Sequence, residues 1–215
     1  MSNGSGKIKV IILDLDNTIY PVSAIGEELF APLIDLFKQS GIDDETIFRI
    51  KPEIMRRPFQ QVAEEFGLNE ELIQASNDLL STTRYSGDIA FFEGYEAIRK
   101  LPLKKYLVTT GYGEMQNSKI DGLQIRGDFE EIYIIDPTKH EYGKKEVFAK
   151  ILKQEEIEPE EALVIGDDPG SEIQAADNLG IGTIIFDPSD RFMHANVDFR
   201  VRDYKEIINI TEQLI

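Results

Sequence analysis

Two aspartates follow the first apolar run of the chain at a spacing that suits nucleophilic or acid–base chemistry. Residues 7–13 form a short, β-branched run, and the segment Asp14-Leu15-Asp16-Asn17-Thr18 follows it directly. Such a run predicts a strand buried on both faces, with Asp14 and Asp16 at its carboxyl end and Leu15 pointing back into the core. An isolated pair of this kind also caps ordinary turns, so its chemistry depends on which other residues reach the same place.

Polar residues also stand at the ends of later apolar runs. These runs cover residues 106–108, 132–135, 162–165 and 183–186. The polar positions that follow or flank them are Thr109, Thr110 and Gly111, then Lys144 and Lys145, and then Gly166, Asp167, Asp168 and Glu172. In an open parallel sheet, ligands bind outside the carboxyl ends of the strands, so these side chains are predicted to line one site.

Carboxylates gathered at one edge repel one another and need a cation to compensate them. The carboxylates offer oxygen ligands alone, since the chain has no cysteine and no histidine lies near them, and this favours magnesium. Magnesium held in this way completes its octahedron with water and substrate phosphate oxygens. With a hydroxyl and a lysine added, the set suits phosphoryl transfer: one aspartate attacks phosphorus, and a second protonates the leaving oxygen and then takes a proton from water.

The elements that position these residues alternate along the chain. Helical patterns at residues 114–121, 145–153 and 172–179 separate the later apolar runs. Strands that alternate with helices predict an α/β fold with a parallel sheet and right-handed crossovers. A closing helix is predicted at residues 203–214, with Asp203 as its N-cap.

One long segment does not share this alternation. From residue 22 to about residue 85 the apolar residues fall only at helical spacing. Gly41, Pro52, Pro58 and Gly67 divide the segment into three or four predicted short helices. A helical block between the first and second strands indicates an inserted subdomain, which we place at residues 21–87, with residues 1–20 and 88–215 forming the core.

Four motifs resemble those of the haloacid dehalogenase superfamily, in the DxDxT form of its phosphatases. They are Asp14-Leu15-Asp16-Asn17-Thr18, Val108-Thr109, Lys144 before a helix, and Val164-Ile165-Gly166-Asp167-Asp168 with Glu172. The resemblance covers nearly the whole chain, because the family places a helical cap where the insertion lies. It implies a Rossmann-like three-layer parallel sheet core and a magnesium-dependent phosphatase acting on a small phosphorylated metabolite.

Site roles follow from the same resemblance. It implies that Asp14 is the nucleophile and a magnesium ligand, and that Asp16 is the general acid/base and lends its backbone carbonyl to the metal. Thr109 would bond the transferring phosphoryl group, Lys144 would neutralise it, and Asp167 would complete the metal site. Thr110 and Gly111 are predicted to contact the phosphate or the substrate.

Three departures from the family pattern leave alternatives open. Many relatives have Asn where this chain has Thr110, and the doublet Lys144-Lys145 leaves the identity of the catalytic lysine open. Glu172 stands where many relatives have Asp, and it competes with Asp168 for a place near the metal or the lysine. The segment from Asp14 to Pro21, which ends in Thr-Ile-Tyr-Pro, resembles members that act on nucleoside monophosphates.

Charge and composition exclude several other classes of protein. The chain has 215 residues, with 23 Lys and Arg against 40 Asp and Glu and a net charge of −17, which disfavours nucleic acid and anionic membranes as partners. Its apolar runs are far shorter than a membrane span, so a cytoplasmic protein is expected. Without cysteine, disulfides and thiolate chemistry are excluded.

Three rival functions remain to be compared with the phosphatase. A dehalogenase on the same fold would not need the proton donor that Asp16 supplies. A signalling receiver domain would use Asp136 as its phospho-acceptor, but Thr109 then precedes it in the wrong order, and the helical insertion has no counterpart. A catalytically silent phosphate-binding protein would not need the complete set of motifs. The physiological substrate and the oligomeric state are not readable from the sequence.

Overall fold

The computed structural model describes residues 7–195 and 197–215, and a six-stranded parallel sheet lies at its centre. The strands are β1 (Val10–Leu13), β2 (Lys104–Thr110), β3 (Glu131–Ile135), β4 (Ala162–Gly166), β5 (Gly182–Phe186) and β6 (Phe199–Val201). Their order across the sheet is β3-β2-β1-β4-β5-β6. The chain moves from β1 to one side and then crosses back to the other, so the crevice at the carboxyl end of β1 is the topological switch point.

Helices cover both faces of this sheet. They are α1 (Gly26–Leu29), α2 (Ala31–Gln39), α3 (Asp44–Ile54), α4 (Phe59–Glu65), α5 (Glu70–Thr82), α6 (Tyr95–Arg99), α7 (Gly113–Leu123), α8 (Lys144–Glu155), α9 (Gln174–Asp177) and α10 (Tyr204–Leu214). Among the described residues, no helix has both the length and the apolar character that a membrane crossing needs.

The side chains of β1 show why its sequence is apolar throughout. Ile11 and Leu13 belong to one buried cluster, together with residues of α6, α7 and α10. Val10 and Ile12 point to the opposite face and belong to a second cluster with residues of α8 and α9. A central parallel strand has no solvent face, so alternation of polar and apolar residues is absent. The α/β fold with a three-layer arrangement is therefore confirmed.

The long segment between β1 and β2 is helical, as its periodicity predicts. Between residues 22 and 85 it holds a 3₁₀ turn at Val22–Ala24 and five helices, α1 to α5, where three or four were predicted. The expectation that Pro52 ends a helix was wrong, because α3 runs through it. The proline is exposed, while Ile50 and Ile54 on the same helix are buried and hold the last turn against the core. The division into a core and a cap at residues 21 and 87 stays a prediction.

Other differences concern short elements. Sequence periodicity did not indicate β6, which has three residues, or α6, which has five. The predicted helix at 172–179 is instead a π-helical turn, Pro169–Ile173, followed by α9. Asp203 does cap α10, since its side chain accepts from the Glu206 N–H at 2.9 Å. Residues 1–6 of the predicted core segment 1–20 lie outside the described residues.

Candidate active site

Asp14 stands at the carboxyl end of β1, in the middle of the sheet. Its backbone N–H donates to the Ile165 carbonyl at 3.0 Å and so continues the ladder between β1 and β4. Its carboxylate is buried, and Oδ1 accepts from Lys144 Nζ at 2.7 Å. A buried charge is costly unless it is paired, so Asp14 and Lys144 act as one electrostatic unit.

Lys144 is the member of the lysine doublet that reaches this site. It is the first residue of α8, and its buried Nζ lies 2.7 Å from Asp14 Oδ1 and 2.7 Å from Glu172 Oε2. Lys145 is exposed. The structure therefore brings Lys144, and not Lys145, to Asp14.

Glu172 reaches the site by packing against Gly166 at the end of β4. Its Oε1 accepts from the Asp168 N–H at 2.8 Å, while Oε2 accepts from Lys144. A Cβ on Gly166 would lie only 2.2 Å from Glu172 Oε1, so this approach requires glycine. Asp168 has a different task, because its Oδ1 accepts from the Gly170 N–H at 2.8 Å and caps the π-helical turn.

Three buried carboxylates are close enough to hold one cation. Asp14, Asp167 and Glu172 can each place an oxygen within 4.8 Å of the others. Two members of the predicted metal set, Asp14 and Asp167, are in this cluster. The side chain of Asp16 is not, and the backbone carbonyl that the family resemblance assigns to the metal stays a prediction.

The crowding of these acids changes their protonation. Burial is the main cause that raises the pKa of Asp14 to about 7; Lys144 opposes the rise and Glu172 adds to it. Burial, followed by the charges of Glu172 and Asp14, also raises the pKa of Asp167 well above its ordinary value. The pKa of Glu172 is lowered, because Lys144 outweighs the effect of burial. In the absence of a cation, two of the three acids thus resist ionisation near neutrality.

This arrangement predicts that magnesium stabilises the fold more at high pH than at low pH. An unfolded Asp14 ionises near the ordinary aspartate pKa of 3.8, whereas the folded one does so at about 7. Across that window the metal-free protein loses stability as pH rises, because the folded state retains a proton that the unfolded chain has lost. At one fixed magnesium concentration, about a hundredfold above the Kd at a pH of about 8, we expect a rise in Tm of about 5–10 °C at that pH. At a pH of about 5.5 protons compete for the same carboxylates, so the rise should be smaller.

Thermal unfolding with magnesium, or with sodium chloride at equal ionic strength, measures this effect. Asp167→Asn is the control, since it removes one ligand of the cluster and should shrink the magnesium response. A response to magnesium that is equal at both pH values would contradict the assignment of the cluster.

Asp16 is held away from this cluster by three donors. Lys119 Nζ lies 2.9 Å from its Oδ1 and 3.0 Å from its Oδ2. The Tyr20 hydroxyl donates to Oδ1, and Gln116 Nε2 donates to Oδ2 at 3.0 Å. Burial alone would raise the pKa of Asp16, but the Lys119 ammonium and these hydrogen bonds outweigh it and lower the pKa. The carboxylate therefore stands ionised with both oxygens bonded.

The predicted residues after β2 lie beside this group. Thr109 is buried, and its Oγ1 accepts from Gln116 Nε2 at 2.7 Å. Thr110 and Gly111 line the same cavity as Asp14. The Gly111 N–H is already used, since it donates to the Ile135 carbonyl at 3.0 Å. Any contact of Gly111 with substrate would therefore come from other atoms than its amide.

A cavity of about 100 Å³ lies between these residues and the helical segment. The wall on the side of the helical segment contains two charged residues, Arg56 and Arg57, and is otherwise apolar. Its apolar members are Val22, Phe30, Leu33, Ile54, Met55, Pro58, Phe59 and Leu80. Asp14, Asp16 and Lys144 lie on the opposite, polar side. The cavity can thus hold a molecule with one anionic end and one less polar end.

Sequence reasoning missed Tyr20, Gln116 and Lys119. Gln116 and Lys119 lie three residues apart on α7, both buried beside Met115 and Ile120. Residues at that spacing share one helix face, so two polar residues on an otherwise apolar face were a usable signal. What they contact depends on how α7 packs against the loop after β1, which the spacing does not reveal.

A family comparison decides between the folds that carry such a site. Residues 11–186 match the haloacid dehalogenase-like hydrolase family. The chain belongs to this family. The resemblance drawn from the four motifs is confirmed, and the receiver alternative is excluded by the sheet order, because receivers have the order 2-1-3-4-5.

Two curated relatives match the chain almost from end to end. The glyceraldehyde 3-phosphate phosphatase of Methanopyrus kandleri is 23% identical, over 96% of this chain and 98% of its own length. The glyceraldehyde 3-phosphate phosphatase of Pyrococcus furiosus is 26% identical, over 96% of this chain and 90% of its own length.

Solved structures show the same fold. A HAD phosphatase of Thermococcus onnurineus superposes with a TM-score of 0.66 at 19% identity, covering 94% of this chain and 97% of its own. A HAD-hydrolase of Bacillus subtilis bound to magnesium gives 0.65 at 19% identity, covering 96% and 99%. The L-2-haloacid dehalogenase of Xanthobacter autotrophicus gives 0.58 at 12% identity, covering 97% and 100%. Because one fold carries both reactions, the reaction of this hydrolase has to be argued from its site.

Proposed function

We propose that this hydrolase is a magnesium-dependent phosphatase that cleaves a small phosphomonoester through an aspartyl-phosphate on Asp14. The observation that carries the proposal is the buried Asp14 carboxylate at the switch point, paired with Lys144, with Asp16 two residues later beneath the same cavity. A dehalogenase would release halide, which needs no proton, and would leave Asp16 without a chemical role. The relatives named as phosphatases support the same choice.

In the first step, a carboxylate oxygen of Asp14 attacks phosphorus and the bond to the leaving oxygen breaks. Asp16, which is ionised in the free protein, must first take up a proton when the anionic ester binds beside it, and it then gives that proton to the leaving oxygen. Lys144 and Thr109 stabilise the charge on the phosphoryl oxygens. Thr109 is suited to this, because its Oγ1 accepts from Gln116 and its own proton is left to donate.

In the second step, water attacks the phosphorus of the aspartyl-phosphate. Asp16, now ionised, takes the proton from this water. The bond between phosphorus and the Asp14 oxygen breaks, which restores the carboxylate and releases inorganic phosphate. Two easier steps thus replace one difficult hydrolysis.

The donor set fits a divalent cation in charge and in chemistry. Asp14, Asp167 and Glu172 supply three negative charges, while Lys144 pairs with two of them and Arg191 lies 3.6 Å from Asp167. A divalent ion between the three carboxylates would reduce their mutual repulsion. All the acid ligands are oxygen donors, as magnesium prefers. When bound, magnesium would supply positive charge for the phosphoryl oxygens and hold them beside Asp14.

The cavity points to a substrate of a few carbon atoms. Its volume of about 100 Å³ is below the roughly 300–1,000 Å³ of pockets that bury drug-sized ligands. A triose phosphate such as glyceraldehyde 3-phosphate suits this size, and it is the substrate in the names of the curated relatives. A nucleoside monophosphate would have to extend beyond this volume, so we place it second.

We further propose that residues 21–87 act as a cap over the leaving group. This segment supplies the apolar wall of the cavity together with Arg56 and Arg57, whereas Asp14 and Thr109 come from the ends of strands. Closing such a cap would exclude water during phosphoryl transfer. The cytoplasmic location predicted from the sequence remains part of this proposal.

A metabolite panel tests the proposed function. Phosphate release is measured from glyceraldehyde 3-phosphate, small sugar phosphates, nucleoside monophosphates and para-nitrophenyl phosphate, with magnesium, with EDTA, or with calcium alone. We expect turnover with magnesium only, and a kcat/KM at least about 10-fold higher for the triose phosphate than for nucleotides. Calcium should fail because it accepts more ligands and looser geometry. No turnover of any ester would indicate a silent binding protein, and full turnover in EDTA would contradict the metal site.

A further inference from the structure

A second buried lysine lies beside the active site, in addition to Lys144. Lys119 on α7 is 2% exposed. Its Nζ donates to Asp16 Oδ1 at 2.9 Å, to Asp16 Oδ2 at 3.0 Å and to Gln116 Oε1 at 2.7 Å. These three bonds use the full donor capacity of an ammonium group. All the hydrogen bonds of the Lys119 ammonium therefore go to Asp16 and to the side-chain amide of Gln116.

Gln116 connects this lysine to the residue that is to bond the phosphoryl group. Its Nε2 donates to Asp16 Oδ2 at 3.0 Å and to Thr109 Oγ1 at 2.7 Å, while its Oε1 accepts from Lys119. The Gln116 amide thus fixes the position of Asp16, in the loop after β1, relative to Thr109 on β2. A rotation of the Asp16 side chain would break bonds to both α7 residues at once.

Stability alone gives a poor reason for such a pair. Burying an ammonium and a carboxylate costs free energy, and their mutual attraction often does no more than offset that cost. An apolar pair of equal volume is frequently as stable.

Lys105 shows what a structural buried lysine does in this protein. It is 7% exposed, and its Nζ donates to the carbonyls of Leu101 and Leu103 at 2.8 and 2.9 Å, at the opposite edge of the sheet.

We propose that Lys119, assisted by Gln116, is a positioning residue that holds the Asp16 carboxylate in the orientation needed for proton transfer. The inference rests on the proposed function, because it assigns Lys119 a task only if Asp16 exchanges protons with the leaving group and water. Lys119 reaches Asp16 through both carboxylate oxygens, so it fixes the plane of the carboxylate as well as its place. Among the ion pairs of the described residues, Lys119 pairs with Asp16 and with none of the three acids of the metal cluster.

The test compares four proteins in single-turnover phosphorylation of Asp14: wild type, Asp16→Asn, Lys119→Met and the double variant. Each is measured with an alkyl phosphate, whose leaving oxygen needs a proton, and with para-nitrophenyl phosphate, whose leaving group does not. We expect Lys119→Met to lose about 10–100-fold with the alkyl ester and much less with the nitrophenyl ester. Since Lys119 acts through Asp16, the double variant should be no slower than Asp16→Asn alone.

Lys105→Met is the matched control, because it also removes a buried ammonium. It should lower Tm and leave the ratio of rates on the two esters unchanged. Gln116→Leu provides a second variant if Lys119→Met does not fold, and it should shift the ratio in the same direction by a smaller factor. Both variants retain the nucleophile Asp14.

Several results would overturn the inference. They are equal losses on both esters, losses of Lys119→Met and Asp16→Asn that multiply in the double variant, or a faster reaction of Lys119→Met with the alkyl ester. A wild-type protein that transfers phosphate from neither ester would instead refute the proposed function, and the role of Lys119 would fall with it.

Discussion

Asp14→Asn is expected to lose phosphatase activity by at least about 10⁴-fold on every ester. The amide has nearly the same shape as the carboxylate at the end of β1, but it is a far poorer nucleophile. The protein should still fold, because the variant removes a carboxylate whose pKa is raised by burial and by Glu172. Magnesium binding should weaken without disappearing, since Asp167 and Glu172 remain.

Steady-state kinetics with the nitrophenyl and triose esters measure this loss, and thermal unfolding reports folding. Asp136→Asn is the matched control. Asp136 is likewise a buried acid at the end of a strand, the edge strand β3, but its Oδ1 accepts from the N–H and the hydroxyl of Thr138 at 3.0 and 2.7 Å and so serves a turn. Activity of Asp14→Asn within a few-fold of wild type would rule out the covalent mechanism.

Asp16→Asn is expected to show a loss that depends on the leaving group. An alkyl phosphate leaves as a strongly basic alkoxide and needs a proton in the transition state, whereas nitrophenolate is stable without one. General acid catalysis contributes about 10²–10⁴-fold, so the alkyl ester should lose that factor in the phosphorylation of Asp14 and the nitrophenyl ester far less.

The measurement has to isolate the first step, because Asp16 also acts in the second. Rapid-quench single turnovers with enzyme in excess give the rate of phosphorylation directly. Asp14→Asn serves as the reference in which neither ester reacts. If Asp16→Asn slowed both esters by the same factor, Asp16 would have no acid role and would serve only to organise the site.

The sheet was largely predictable because its central strands have no polar face. The runs that predict β1, β2, β3, β4 and β5 are apolar and β-branched, and each ends at a polar or glycine residue. The edge strand β6 gives no such pattern, since Phe199 and Arg200 are only partly covered and three residues are too few for periodicity. The prediction that Pro52 ends a helix failed because Pro52 is exposed and lies near the end of α3, where the loss of one backbone donor is tolerated.

The residues of the site at the strand ends were predictable, whereas the two residues on α7 were not. Asp14 and Thr109 follow a predicted strand directly, and Asp167 comes one residue after another predicted strand, so the topology of a parallel sheet is enough to bring them to one edge. Lys119 and Gln116 reach Asp16 only through the packing of α7 against the loop after β1. That packing depends on side chains far apart in sequence, which no local pattern records.

The most direct measurement of the central claim is mass analysis of the acid-quenched protein during turnover of para-nitrophenyl phosphate with magnesium. Asp16→Asn is included because it should accept the phosphoryl group from this ester and then release it slowly. We expect one phosphoryl group on the peptide that contains Asp14. The phosphorylated fraction should be larger in Asp16→Asn than in wild type, and the group should be absent from any variant that carries Asp14→Asn. Release of phosphate with no phosphoprotein, or a phosphoryl group on another residue such as Asp136, would contradict the covalent mechanism.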